Sequence, residues 1–219
     1  MNRGDLLRYL DRSVNRPDMS DAYGDWINQA LRGIYRDHSF LCMRHRDTVT
    51  MSNGATSVSL PLDFKELLAD RSPVYMQGGD GSLLPVSITR ESTERRLLTS
   101  NQTIVVPTNP STLFRDLPCW LEWGPQTAEF HTLYPVAGDT NFVVNYFRFL
   151  PSLEADSDQN YITMFYEEMV KAKVSAVAFE ELRDPEWEAQ EKLYADRFRR
   201  AVADDLYRSQ KGRKTQMGQ

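Results

Sequence analysis

Residues 162–179 read ITMFYEEMVKAKVSAVAF. Ile162, Phe165, Met169, Ala172, Ala176 and Phe179 recur at alternating intervals of three and four, the period of an α-helix. Tyr166, Val170, Val174 and Val177 form a second apolar row on the same segment. A helix over 161–182 that is apolar on two faces has to be covered on both. Its own domain is expected to cover one face and something else the other.

Working outward, Asp184 and Pro185 suit the cap and first turn of a following helix. That helix carries Trp187, Tyr194, Phe198, Ala201, Val202 and Leu206 and is expected to fade near Gln210. At the other end of the chain, Leu6, Leu7, Leu10 and Val14 predict a short amphipathic helix that stops near Pro17. Ser20 or Asp21 then suits the cap of a second helix, with Tyr23, Trp26, Ile27, Ala30, Leu31 and Ile34 on its apolar side.

Between these helical ends the period falls to two. Val49 and Met51 lead into Ser52-Asn53-Gly54, and Val58 and Leu60 follow. Asn-Gly between alternating segments predicts a hairpin, because both turn residues need positive φ. A second turn, Gly78-Gly79-Asp80-Gly81, separates 73–77 from 83–88. Residues 89–98 suit one or two helical turns, and extended segments recur at 104–106, 120–123, 129–134 and 141–149. The expected fold is α+β. A helical bundle of residues 1–40 and 152–207 carries an inserted antiparallel β domain at 41–151, a sandwich or small barrel.

Composition sets bounds on function. With 41% hydrophobic and 26% charged residues, and only 11 Gly and 11 Pro, the 219-residue chain is neither largely disordered nor collagen-like. Cys42 and Cys119 are too few for a disulfide framework, which points to a reducing compartment. Asp5 and Asp11 interrupt the leucines near the N-terminus, unlike a signal peptide, and no stretch is apolar for long enough to span a membrane. The net charge of −5 is uneven: residues 208–219 hold Arg208, Lys211, Arg213 and Lys214 and no acid, leaving the body more acidic than the whole. An acidic body argues against a strong sequence-independent grip on DNA.

Site chemistry points to no enzyme. His38, Cys42 and His45 are spaced as metal ligands would be on one helix, but they straddle the expected switch from helix to strand and have no fourth partner, so neither metal nor cofactor is expected. His131 lies in a strand segment with no Ser or Cys near it in sequence, and no G-x-S-x-G turn is present. The pairs Glu167-Glu168, Glu180-Glu181 and Asp204-Asp205 are adjacent on helices and do not face each other. The 78–81 loop lacks the Lys-Ser/Thr of a phosphate loop.

Tyr23-Gly24-Asp25-Trp26-Ile27-Asn28-Gln29-Ala30, with Ile34-Tyr35-Arg36, resembles the opening helix of tailed-phage head-to-tail adaptor proteins. Leu60-Pro61-Leu62-Asp63-Phe64 looks like that family's Leu-Pro-x-Asp-Phe approach to a strand. Asn160-Tyr161-Ile162, Asp184-Pro185-Glu186-Trp187, Tyr194 and Leu206 look like its closing helix pair. These segments cover about half the chain, in the family's order.

The resemblance implies a protein of the tail tubular protein A class of short-tailed phages, a virion component of the head–tail junction assembled in the host cytoplasm. It implies a ring, typically dodecameric, between the portal protein and the tail nozzle or tube, through whose lumen double-stranded DNA passes without sequence recognition. An acidic lumen would let that DNA slide. On this reading Arg208, Lys211, Arg213 and Lys214 anchor to the portal. The tips at Asn53 and Gly54 and at Gly78, Gly79, Asp80 and Gly81 contact the tail component, and Tyr166, Val170, Val174 and Val177 contact the next subunit. Rival readings are another neck or head-completion protein, a small hydrolase using His131, and a DNA-binding module using the basic tail.

Overall fold

The computed structural model describes residues 1–68, 73–86, 88, 119–123, 127–132 and 135–216, with side chains through residue 209. Helices (47%) and antiparallel sheets (25%) occupy separate stretches of the chain, which makes the fold α+β. The chain divides into two compact units. One comprises Met1–Met43 with Phe149–Gln219, the other Arg44–Arg148.

The first unit is helical. Helix α1 (Arg3–Val14) opens on a reciprocal cap: the Asn2 side chain accepts from the Asp5 N–H, and the Asp5 carboxylate accepts from the Asn2 N–H. Asn15, at φ 50°, closes it in the left-handed region that asparagine tolerates. A 3-10 segment (Pro17–Ala22) leads into α2 (Tyr23–Asp37), which begins without a side-chain cap, so neither Ser20 nor Asp21 plays the expected part. The helix expected over 161–182 is two: α3 (Tyr161–Phe165) and α4 (Glu167–Glu181), with the backbone stepping at Tyr166. Glu167 and Glu168 fall in the first turn of α4, where carboxylates favour the positive end of the helix dipole. Helix α5 (Trp187–Gln216) runs past Gln210, the point where its apolar pattern fades.

Helix α4 is the core of this unit. It packs against α1, α2 and α5, and the members of both apolar rows that lie within it are buried. Val170 and Val174 are wholly covered, and Tyr166 and Val177 nearly so. The expectation that a neighbouring subunit covers the second row is therefore corrected, because helices of the chain itself cover it. Polar pins fix the same packing. Tyr9 Oη and Ser175 Oγ lie 2.9 Å apart, Lys173 Nζ donates to Glu191 at 2.9 Å, and Tyr194 Oη donates to Asp37 at 3.0 Å. The buried Asp205 carboxylate accepts from the Leu41 N–H, satisfying a backbone donor beyond the end of α2.

The second unit holds two antiparallel sheets. Its strands are β1 (Arg44–Met51), β2 (Ser57–Ser59), β3 (Phe64–Leu67), β4 (Val74–Gln77), β5 (Leu83–Val86), β6 (Cys119–Trp123), β7 (Ala128–Thr132) and β8 (Thr140–Arg148). In the five-stranded sheet β8 is central, with β1 on one side and β3 and β4 on the other, and β5 extends from β4. The three-stranded sheet has the order β2-β7-β6. Met51, Val74, Phe142, Val144 and Tyr146 of the larger sheet share one core with Cys119, Ala128 and Phe130 of the smaller. The Phe130 and Phe142 rings meet across it at 4.9 Å. Among the described strands the sheets do not close into a barrel.

Two turns fare differently. Gln77 pairs with Leu83 across the 78–82 tip, so the second turn is a hairpin. The Asn53-Gly54 turn joins β1 to β2, which belong to different sheets, so it is a crossover rather than a hairpin. Residues 89–98 and 104–106, with their expected helical turns and strand, lie outside the described residues.

Two outcomes follow. Arg183 sits at φ 55° just past α4, where Asp184 N–H donates to Phe179 O and Arg183 N–H to Glu180 O. That closure normally takes glycine. Arg183→Gly should stabilise the helical unit by about 1 kcal/mol and raise its melting temperature by about 3 °C, measured by thermal denaturation. Glu168 on α4 is held below its ordinary pKa first by Arg197 of α5, then by Lys171. A depressed carboxylate adds stability above its unfolded value and loses it as the proton returns. The melting temperature should therefore fall as pH drops below about 4.5, and fall less steeply in Glu168→Gln.

Candidate interaction surfaces

Thirty residues of α-helix make α5 about 45 Å long. Tyr194, Ala201 and Asp205 bury one side of it, and Leu206 and Tyr207 beyond them are exposed. Arg208 bonds Asp204 and Tyr161 Oη, each at 2.9 Å, and lies 5.6 Å above the Phe165 ring. It thus ties α5 to α3, where Met164 and Phe165 are also exposed. The backbone of Lys211, Arg213 and Lys214 continues α5, and their side chains lie outside the described residues.

Of the two expected tail-contacting tips, that at 78–81 projects as a hairpin end. Gly78 N–H donates to Ser82 O, Asp80 accepts from the Ser82 N–H at 2.9 Å, and Gly81 takes φ 81°. Gly79 has open space where a side chain would stand. The hydrogen bonds from Ser82, side-chain bond first, hold the Asp80 carboxyl below its ordinary range. Asn53 and Gly54, in contrast, are docked on another loop of their own unit. Asn53 N–H donates to Asp139, Gly138 N–H donates to the Asn53 side chain, and Gly54 N–H donates to Val136 O. These bonds hold the crossover in place, and Asn53 and Gly54 themselves stay exposed.

The candidate chemical groups are dispersed. Among the described residues no three His, Cys, Asp or Glu side chains gather in a way that could hold a metal ion. His38 Nε2 lies 3.5 Å from Asp205, and the His38 ring meets the Phe40 edge at 4.6 Å. His45 sits in β1 with its ring against Tyr146. His131 stacks on Trp120 at 5.4 Å, with Glu129 3.3 Å and Glu122 3.8 Å from its Nε2. The tyrosines nearest the bundle carboxylates, Tyr166 and Tyr194, are pushed up chiefly by burial and stay neutral hydroxyls.

Two further surfaces of the helical unit escaped the sequence reading. Along α2, Leu31 and Tyr35 form an apolar floor with Phe149 and Leu150, flanked by Arg32 and Arg36. At the α4–α5 corner, the exposed Trp187 stands in a stretch that also carries Glu180, Glu181, Asp184, Glu186 and Glu188. The mixed polar and apolar lettering of both stretches could have marked them, but only folding brings residues 149–150 to α2.

No helix among the described residues is long and apolar enough to cross a membrane. No curated protein gives a significant match to the chain. A family model described as SU10 adaptor protein matches residues 1–218, across both units. With that match over nearly its whole length, the chain belongs to the SU10 adaptor protein family, a family of phage adaptor proteins.

Proposed function

We propose that the chain is a structural virion protein whose copies form a ring, dodecameric on the sequence resemblance, joining the portal protein to the tail nozzle or tube. The family match over residues 1–218 carries this reading. The ring assembles in the host cytoplasm, performs no catalysis, needs no cofactor and passes double-stranded DNA through its lumen. The acidic balance of the chain supports that passage, since an acidic wall repels phosphates and lets DNA slide.

The anchor to the portal is the end of α5. No acid follows Asp205 in the chain, while Lys211, Arg213 and Lys214 follow one another within the helix. Arg208, engaged with Asp204 and Tyr161, braces the base of that anchor. Contact with the tail component falls to the 78–81 hairpin tip, with the Asn53-Gly54 crossover in a supporting place.

Native mass spectrometry of the chain, alone and mixed with the portal ring encoded in the same genome, tests this. The full chain should add to the portal in a defined number of copies. A chain lacking 208–219 should lose that addition by at least about tenfold at the same concentration, a loss of about 1.4 kcal/mol or more. A full chain that stays monomeric beside a competent portal would contradict the proposal.

A further inference from the structure

The solvent side of α2 carries Asp25, Gln29, Arg32 and Arg36 at intervals of four, three and four. Arg32 and Arg36 are exposed, and neither has an ion-pair partner among the described residues. They flank an open depression of about 350 Å³ floored by Leu31, Tyr35, Phe149 and Leu150. Asn28 fixes its far wall: its side chain donates to Leu153 O at 3.1 Å and accepts from the Leu153 N–H at 2.9 Å. Phe149 remains 37% exposed at the rim. Such a site suits a large apolar side chain with carboxylates beside it. Guanidinium groups bind carboxylates by paired hydrogen bonds and stack on aromatic rings.

The same unit carries the complementary surface. At the α4–α5 corner, Trp187 is 38% exposed within one turn of Glu186 and Glu188. Glu180, Glu181 and Asp184 add charge of the same sign, and Arg183 is the one base among them. None of these carboxylates has an ion-pair partner among the described residues. Tryptophan and arginine are the residue types that most often dominate the energy of protein interfaces.

We infer that Trp187 and its carboxylates on one copy dock on the Arg32–Arg36 depression of the next copy, making the contact between subunits of the ring. This rests on the adaptor reading and names the interface that the reading requires. Like-with-like pairing would set guanidinium against guanidinium and carboxylate against carboxylate, which is repulsive. The charges therefore select a head-to-tail contact, the kind that repeats around a closed ring.

The test uses two variants of the full chain, R32E/R36E at the depression and E186R/E188R at the corner, all at exposed positions. Each alone should reduce portal-bound copies, counted by native mass spectrometry, by more than about tenfold where the unaltered chain saturates. An equal mixture should restore the full complement with the two variants in equal numbers, because reversed charges match only in strict alternation. Restoration also shows that both variants fold. The inference is overturned if either variant alone assembles like the unaltered chain, or if the mixture fails to assemble. It is also overturned if only the depression variant is impaired, which would place the occupant on another virion protein. If the unaltered chain itself adds no copies to the portal, the adaptor reading fails and this interface with it.

Discussion

Everything in the helical unit depends on covering α4. Its interior residues, from Met169 to Phe179, leave almost no polar side for water, so the helix can exist only with neighbours all around. Those neighbours come from both ends of the sequence: α1 and α2 from the first forty residues, α5 from residue 187 onward. Burial of one helix thus brings the two ends of the chain into one core. The stretch between them is then free to fold as a separate β unit around β8, which bonds three other strands.

That constraint also shows which parts of the structure local sequence could carry. The two apolar rows of α4, the apolar face of the first helix and the 78–81 hairpin depend on residues within a few positions of each other, and periodicity and turn chemistry expose them. The order helix, strand, helix and the α+β class were legible for the same reason. What covers the second row of α4 was not, because Val170 and Val174 look the same whether a neighbouring subunit or the chain's own helices bury them. The Asn53-Gly54 turn has the local chemistry of a hairpin. Its real partners, Val136, Gly138 and Asp139, lie more than eighty residues away and direct the chain into a second sheet. The apolar pattern of α5 fades near Gln210, yet the helix runs on to Gln216, where Lys211, Arg213 and Lys214 suit the negative end of a helix.

The surfaces of this unit separate along similar lines. Arg208 belongs to the sequence's basic tail, but its bonds are to its own bundle, so charge counting alone overstated its freedom. The Arg32–Arg36 depression and the Trp187 corner carry charged groups with no ion pair among the described residues, and opposite signs lie on different elements of one subunit. A surface of that kind has unmet attraction in two places and repulsion against its own image. Arg183 stands in a left-handed conformation beside the acidic corner, at a local cost that glycine would avoid.

The most direct measurement is a cryo-electron microscopy reconstruction of the head–tail junction of the virion at side-chain resolution. It should place this chain as a closed ring between portal and tail, with the end of α5 on the portal and each Arg32–Arg36 depression filled by the neighbour's Trp187. Density for the chain elsewhere in the particle, or a ring whose subunits leave that depression open to solvent, would contradict the account.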